Sequence, residues 1–234
     1  MKVIFVYAHP DDECLYSGGT IPKLVSENIE VKLICATKGE AGTTGNPLLC
    51  TQEDLGKVRE QELRNAAKVL GISEIFFLGF MDGTLSSLPQ SSLQDSIEKI
   101  LEQEKPDVVY TFGKEGGTHH PDHKQICIDT TIAFANYMSN VSKHVRLYYA
   151  VIPKSYVKRL ESLGTLYTFF GKVEGVPDES VTTTIDVSET IEKKIEAFKC
   201  HKTQKNDWEL FLTRKSAPEF TKEFFTLAME NEIA

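Results

Sequence analysis

Near its start the chain runs Val3-Ile4-Phe5-Val6-Tyr7-Ala8 without a polar break, then turns abruptly into His9-Pro10-Asp11-Asp12-Glu13. A short run that is apolar on both faces predicts a strand inside a parallel sheet, covered on either side. In open parallel sheets, ligands collect at the carboxyl ends of the strands. One imidazole and three carboxylates at such an end make a candidate metal or acid-base site. A second cluster, His119-His120-Pro121-Asp122-His123, follows another apolar run and repeats the His-Pro-Asp order. If both runs belong to one sheet, the two clusters face the same crevice.

The chain has 234 residues, of which 41% are apolar, which predicts one domain over 1–234 with a sizeable core. A net charge of −8 and the lack of any Lys/Arg run argue against a nucleic-acid surface. No stretch approaches the roughly 18 apolar residues of a membrane span, so the expectation is a cytoplasmic protein without one. Five widely spaced cysteines without a C-x-x-C pair fit reduced thiols. Cys14, beside the first cluster, reads as a small core residue rather than a ligand.

Strands are expected at 2–7, 31–36, 75–78, 107–111, 145–151 and 181–185, and helices at 17–28, 53–70, 91–104, 122–138, 188–201 and 217–230. The alternation predicts an α/β fold of three layers with a mostly parallel central sheet. Within 53–70, Leu55, Val58, Glu62, Leu63, Ala66, Ala67 and Leu70 form a stripe at helical spacing, and Gly71 supplies a stop. Residues 152–180, broken by Gly164, Gly171, Gly175 and Pro177, read as a surface excursion near the crevice. The Gly-rich loop from Lys38 to Pro47 matches neither the dinucleotide fingerprint nor the P-loop.

A catalytic zinc takes three protein ligands from His, Asp or Glu and keeps a fourth position open. His9, Asp12 and His123 supply such a set, one ion per chain, and leave Asp11 free as a general base toward a water of lowered pKa. His120 is expected to face the substrate. Asp122, by bonding a neighbouring imidazole, favours its protonated form, and a cationic His120 can stabilise an oxyanion or protonate a leaving amine. Helix capping explains Asp11, Asp12, Pro121 and Asp122 equally well taken singly. It does not explain four histidines. His119 has no separate role, His144 has no partner pattern, and Trp208 with Phe211 and Leu212 reads as packing.

These residues bring the chain close to a known family: it resembles the LmbE-like, PIG-L-type zinc-dependent N-acetylglucosaminyl deacetylases. The resemblance rests on Ala8-His9-Pro10-Asp11-Asp12-Glu13 and His120-Pro121-Asp122-His123. Thr37-Lys38-Gly39-Glu40, Arg59-Glu60-Gln61-Glu62 with Leu70-Gly71, Asp82-Gly83 and His201-Lys202-Thr203-Gln204 extend it. It implies a Rossmann-like sheet, zinc on His9, Asp12 and His123, Asp11 as base, and His120 as electrophile or acid. It also implies removal of acetyl from a small-molecule N-acetylglucosamine-type substrate, with Arg59, Asp82 and Glu40 contacting the sugar, and permits a homo-oligomer. From the residues alone, Arg59 reads equally as a partner of Glu60 or Glu62, Asp82 as an Asp-Gly turn, and His201 as a helix C-terminal charge. One departure stands out: where some relatives carry an oxyanion-donating tyrosine two residues before the His120 position, this chain has Thr118. Hydrolysis of another amide or of a phosphoester, and a nucleotide-binding module, remain the alternatives.

Overall fold

The first apolar run becomes β1 (Lys2–Tyr7), an interior strand of a seven-stranded sheet in a computed structural model that describes residues 1–166 and 170–231. The other strands are β2 (Glu30–Thr37), β3 (Glu74–Phe80), β4 (Val108–Phe112), β5 (Arg146–Ala150), β6 (Thr183–Asp186) and β7 (Lys222–Glu230). Their order is β3-β2-β1-β4-β5-β7-β6. All pairings from β3 across to β5 are parallel, and β7 runs antiparallel to both neighbours. Chain direction along the sheet therefore reverses at β1, which leads on one side to β2 and on the other to β4. This is the switch point where a crevice opens beyond the strand ends.

Nine helices flank the sheet among the described residues: α1 (Asp12–Ser17), α2 (Thr20–Ser26), α3 (Leu55–Leu70), α4 (Ser92–Glu104), α5 (Gly116–His119), α6 (Pro121–Ser139), α7 (Lys154–Ser162), α8 (Ile191–Phe198) and α9 (Lys205–Leu212). α4 packs on α6, and α3 on α8. The fold is α/β and three-layered, as the alternation implied. Between β1 and β4, Phe5 stacks on Tyr110 at 4.8 Å and Tyr7 meets Phe112 edge-on at 4.9 Å, so aromatic packing holds the two site-bearing strands in register. No helix among the described residues is long and apolar enough to cross a membrane.

Four expectations need correction. The segment 217–230 is not a helix: its residues 222–230 form β7. Lys, Glu, Leu, Ala and Met there favour helix, but the backbone groups of β5 and β6 need a partner, and tertiary pairing outweighs a propensity of tenths of a kcal/mol per residue. The helix expected at 17–28 breaks at Gly18-Gly19, where a Cβ on Gly19 would lie 2.4 Å from that of Val187. The excursion 152–180 contains α7, and its residues 167–169 lie outside the described residues, as do 232–234. Finally, α9 arises where no helix was expected.

β7 is locked in place by charge. Glu223 pairs with Lys194 of α8 at 2.6 Å, both almost fully buried, and its two oxygens accept the Gly19 and Thr20 N–H groups at 2.9 and 2.8 Å. At the opposite rim of the sheet, Glu104 accepts from Lys2 and Lys32 at 2.7 Å each, and Lys32 also reaches Glu74 at 2.8 Å. Glu223→Ala strands the Lys194 charge and should lower unfolding free energy in urea by about 3–5 kcal/mol. Hydrogen bonds from Lys2 and Lys32 hold the Glu104 carboxyl below its ordinary value of 4.5. Folding thus favours the ionised form. Glu104→Gln should cost about 1–2 kcal/mol at neutral pH, discounted for partial exposure. That deficit should shrink as pH falls below 4.5 and the wild-type carboxylate protonates. Urea titrations of both proteins at pH 7 and pH 3 check it.

Candidate metal centre

His9 follows the end of β1, Asp12 opens α1 three residues later, and His123 lies in the first turn of α6, which follows β4. Because β1 and β4 are neighbours, these three distant residues converge. His123 Nε2 lies 3.3 Å from His9 Nδ1 and 3.2 Å from Asp12 Oδ1, and His9 Nδ1 lies 3.5 Å from Asp12 Oδ2. Ligand atoms about 2.0–2.1 Å from a tetrahedral zinc are separated by about 3.3 Å along each edge, so the trio has the spacing such an ion requires. The other nitrogen of each ring is anchored. His123 Nδ1 faces the Gly116 carbonyl oxygen at 3.0 Å, while His9 Nε2 faces Asp82 Oδ1 at 2.9 Å and Asp122 Oδ2 at 3.3 Å. With those nitrogens donating, His9 Nδ1 and His123 Nε2 are left as lone pairs aimed at one point. The residues fit zinc.

Electrostatics agree. The carboxylates of Asp11, Asp12, Asp82 and Asp122 crowd this point. Against the effect of burial, Asp12, Asp122 and Asp82 raise the His9 pKa well above its ordinary value. Likewise, despite burial, His123 and His9 hold Asp12 far below the usual carboxylate range. A second possible trio, His9 with His120 and Asp122, shares His9 with the first. In it the Asp122 carboxylate already accepts the Gly83 and Leu85 N–H groups at 2.7 and 3.1 Å. A third, Glu13 with Cys14 and His201, is fully buried, with His201 Nε2 on Glu13 Oε1 at 2.8 Å and burial pushing the Cys14 thiol pKa up. A protonated thiol is a poor ligand.

Asp11 sits beside the trio with φ 105°, a left-handed backbone rare outside glycine. The Asp11 N–H donates to Glu13 Oε2 at 2.9 Å, and the strained turn sends the Asp11 and Asp12 carboxylates in different directions. Asp11 is not free, as the spacing suggested. Its Oδ2 pairs with Arg59 Nη2 at 2.9 Å. Burial pushes the Asp11 carboxyl up, Arg59 pulls it down and Asp12 raises it again, with the net direction upward. Arg59 is 3% exposed and also donates to the Gly39 and Pro10 carbonyl oxygens at 2.9 and 2.5 Å. It touches neither Glu60 nor Glu62 through its charge. A Cβ on Gly39 or Gly42 would lie 2.2 or 2.4 Å from Arg59 Nη1, so the Gly-rich loop cradles a guanidinium.

Asp82 lines the cavity, but its carboxylate is engaged: Oδ1 faces His9, Oδ2 accepts the Ala41 N–H at 3.1 Å, and, against burial, His9 lowers its pKa to about 2. Glu40 does not line the cavity; its Oε2 accepts the Lys38 and Asp82 N–H groups at 3.3 and 3.4 Å. His120 lines the cavity and caps α6, its Nδ1 accepting the Asp122 N–H at 3.1 Å. Burial first, then His9 and His123, lowers the His120 pKa to about 4. The expected Asp122 contact thus falls on His9, and His120 is neutral with Nε2–H toward the cavity. His119 is a loop-side residue with φ 65°, and His144 pairs with Glu230 at the surface.

One cavity of about 710 Å³ contains the trio, Asp11, Arg59, Asp82 and His120. It extends to α7, α9 and β7 and takes in Tyr16, Asp207, Arg214 and Glu223, which the sequence reading did not single out. Their only sequence signal was charge or a hydroxyl within apolar stretches. Glu62, counted in the α3 stripe, is a buried acceptor for the Thr203 N–H and hydroxyl at 2.9 and 2.6 Å, which docks the His201–Gln204 motif beside the site.

The PIG-L family, described as GlcNAc-PI de-N-acetylase, matches residues 4–134. The 1D-myo-inositol 2-acetamido-2-deoxy-alpha-D-glucopyranoside deacetylase 1 of Saccharopolyspora erythraea is 32% identical, over 88% of this chain and 78% of that one. A probable N-acetyl-alpha-D-glucosaminyl L-malate deacetylase 2 of Bacillus anthracis is 38% identical, over 52% of this chain and 54% of its own. Among solved structures, the N,N'-diacetylchitobiose deacetylase of Pyrococcus horikoshii has a TM-score of 0.66 at 24% identity, covering 97% of this chain and 83% of that one. The 4-carboxy-2-hydroxymuconate hydratase GalB of Pseudomonas putida KT2440 has a TM-score of 0.70 at 17% identity, covering 99% and 97%. These structures establish likeness of fold. With the sequence matches spanning most of the chain, this protein belongs to the PIG-L family of de-N-acetylases.

Proposed function

We propose that the chain is a zinc-dependent hydrolase that removes the N-acetyl group from an N-acetylglucosamine-type amino sugar or glycoconjugate and releases acetate. Residues 1–234 act as one deacetylase domain, and the single zinc ion per chain is held by His9, Asp12 and His123. The observation that carries this reading is the trio at 3.2–3.5 Å spacing beside the half-buried Asp11 carboxylate, which Arg59 holds at 2.9 Å. Relatives named as deacetylases of inositol-linked and malate-linked amino sugars support the substrate class.

A zinc ion held there supplies Lewis acidity toward a water molecule and the amide carbonyl. The protein residues do the rest. Asp11 accepts the proton of the attacking water, and its raised pKa, caused by burial, suits that task. Arg59 fixes the direction of the Asp11 carboxylate, while Asp82 and Asp122 fix the ring of His9. Glu40 acts at one remove, bracing the Asp82 turn. His120 Nε2–H donates a hydrogen bond to the oxygen on which negative charge develops. As the C–N bond breaks, the proton passes from Asp11 to the amine nitrogen, and acetate and a free amino sugar result. In this scheme His120 acts as a neutral electrophile, not as a cation. Thr118 need not act as donor.

Asp11→Asn should retain close to one zinc per chain by elemental analysis and lose turnover by at least about a hundredfold in acetate release; unchanged turnover would sink the mechanism. Chelation should abolish acetate release and zinc restore it. His123→Ala should fall well below one ion per chain. Two ions in the wild type would favour the phosphoester or other two-metal chemistry instead. Acetate release from no N-acetylated sugar, with another amide cleaved, would replace the substrate class while keeping the centre.

A further inference from the structure

The cavity around the metal trio has a second kind of wall. Tyr156 and Leu160 of α7, Val173, Phe211 of α9, Phe220 and Phe224 line it with apolar surface. Set among them is Arg214, in a short 3-10 turn spanning Thr213–Ser216. Its Nη2 donates to the Thr165 carbonyl oxygen at 3.1 Å, and its Nε is buried with no partner. Burial lowers the guanidinium pKa; its electrostatic neighbours are the Tyr156 and Tyr16 phenols and, most weakly, the Asp207 carboxylate. No ion pair to Arg214 forms among the described residues.

The fully buried cations that line this cavity are already compensated. Lys194 has Glu223 at 2.6 Å, and Arg59 has Asp11 at 2.9 Å. Tyr16 supplies a second orphan: its hydroxyl, buried beside Thr118, has no well-formed hydrogen bond. Arg214 Nε and the Tyr16 hydroxyl therefore line one cavity, the first with no acceptor and the second with none better placed than the neighbouring Thr118 hydroxyl. Arg214 is half-buried, but its Nε is shut off from water without a partner; a donor so placed is costly unless something satisfies it, and the guanidinium fork matches carboxylate and phosphate oxygens.

We propose that Arg214 and Tyr16 bind an anionic group, a carboxylate or a phosphate ester, on the moiety attached to C1 of the amino sugar. This rests on the deacetylase reading and adds to it the charge of the aglycone. The apolar walls exclude water and so strengthen the ion pair, while offering few partners to the hydroxyls of a neutral polyol. The net charge of −8 repels anions at long range, and this pocket overcomes that locally.

The test is acetate release by the zinc-loaded protein from three substrates: methyl N-acetylglucosaminide, N-acetylglucosaminyl L-malate and N-acetylglucosamine 1-phosphate. At least one anionic substrate should show a KM about tenfold or more below the neutral one, and which of them does so identifies carboxylate or phosphate as the source. Arg214→Met should erase that advantage by raising the KM for the anionic substrate about tenfold, with kcat within about twofold and the methyl glycoside unaffected. Arg214→Lys should recover part of the loss, and Tyr16→Phe should lose about threefold on the same substrate alone. Equal losses on neutral and anionic substrates, or no anion preference in the wild type, would overturn the proposal. If Arg214→Met fails to fold, the charge-retaining lysine variant carries the comparison. Calorimetric binding of the three deacetylated glucosaminides runs in parallel. Absence of acetate release from every substrate defeats the deacetylase reading, whereas an Arg214-dependent preference among the glucosaminides still upholds the anion site and its absence there overturns it.

Discussion

The parallel pairing of β1 with β4 is the constraint on which the site depends. Val3, Ile4 and Phe5 sit opposite Val108, Val109 and Tyr110, which brings the carboxyl ends of two strands more than a hundred residues apart to a single rim. β1 ends just before His9, and β4 reaches its own His-Pro-Asp run through the short α5, so both clusters leave from that rim. The aromatic contacts of Phe5, Tyr7, Tyr110 and Phe112 resist slippage of that register. A slip of one residue would turn every side chain to the other face.

Around the rim, acidic groups outnumber the work that any one could do alone, and hydrogen bonding divides them. Asp12 faces both imidazoles of the trio. Asp82 and Asp122 hold the far nitrogen of His9. Asp11 is turned aside by a left-handed backbone and clasped by Arg59, whose guanidinium also closes the Gly39 loop over the site. The glycines of that loop are required because Arg59 occupies the space their side chains would fill. Similar folds carry different chemistries, a hydratase and a deacetylase among this chain's neighbours. The site and the family membership, not the sheet, carry the functional reading.

Much of the fold was legible in the sequence. Strand alternation, the apolar strands and the α3 stripe ending at Gly71 are local patterns, and they predicted their elements within a few residues. β7 was not legible, because Lys222–Glu230 mixes helix-favouring Lys, Glu, Leu, Ala and Met with strand-favouring Phe224, Phe225 and Thr226, and pairing with β5 and β6 decides between them. The fold brings together His9, Asp12 and His123, which were legible as a candidate ligand set. The partners of Arg59 and Asp82 were not, since charged side chains at a cavity read as ligand contacts until the structure shows them spent on one another. Glu40 lies off the cavity, its carboxylate accepting the Lys38 and Asp82 N–H groups, a placement no local pattern announced.

By itself, the sequence determined which groups the protein can bring to chemistry: imidazoles and carboxylates at strand ends, in an order that marks the family. Strand patterning also determined the layered α/β class, because burial on both faces is written in local composition. Only the tertiary structure decided which carboxylate faces the metal position, which is held by Arg59 and which orients His9. Those choices are set by distances and burial across residues far apart in the chain, and by the requirement that every buried charge find a partner.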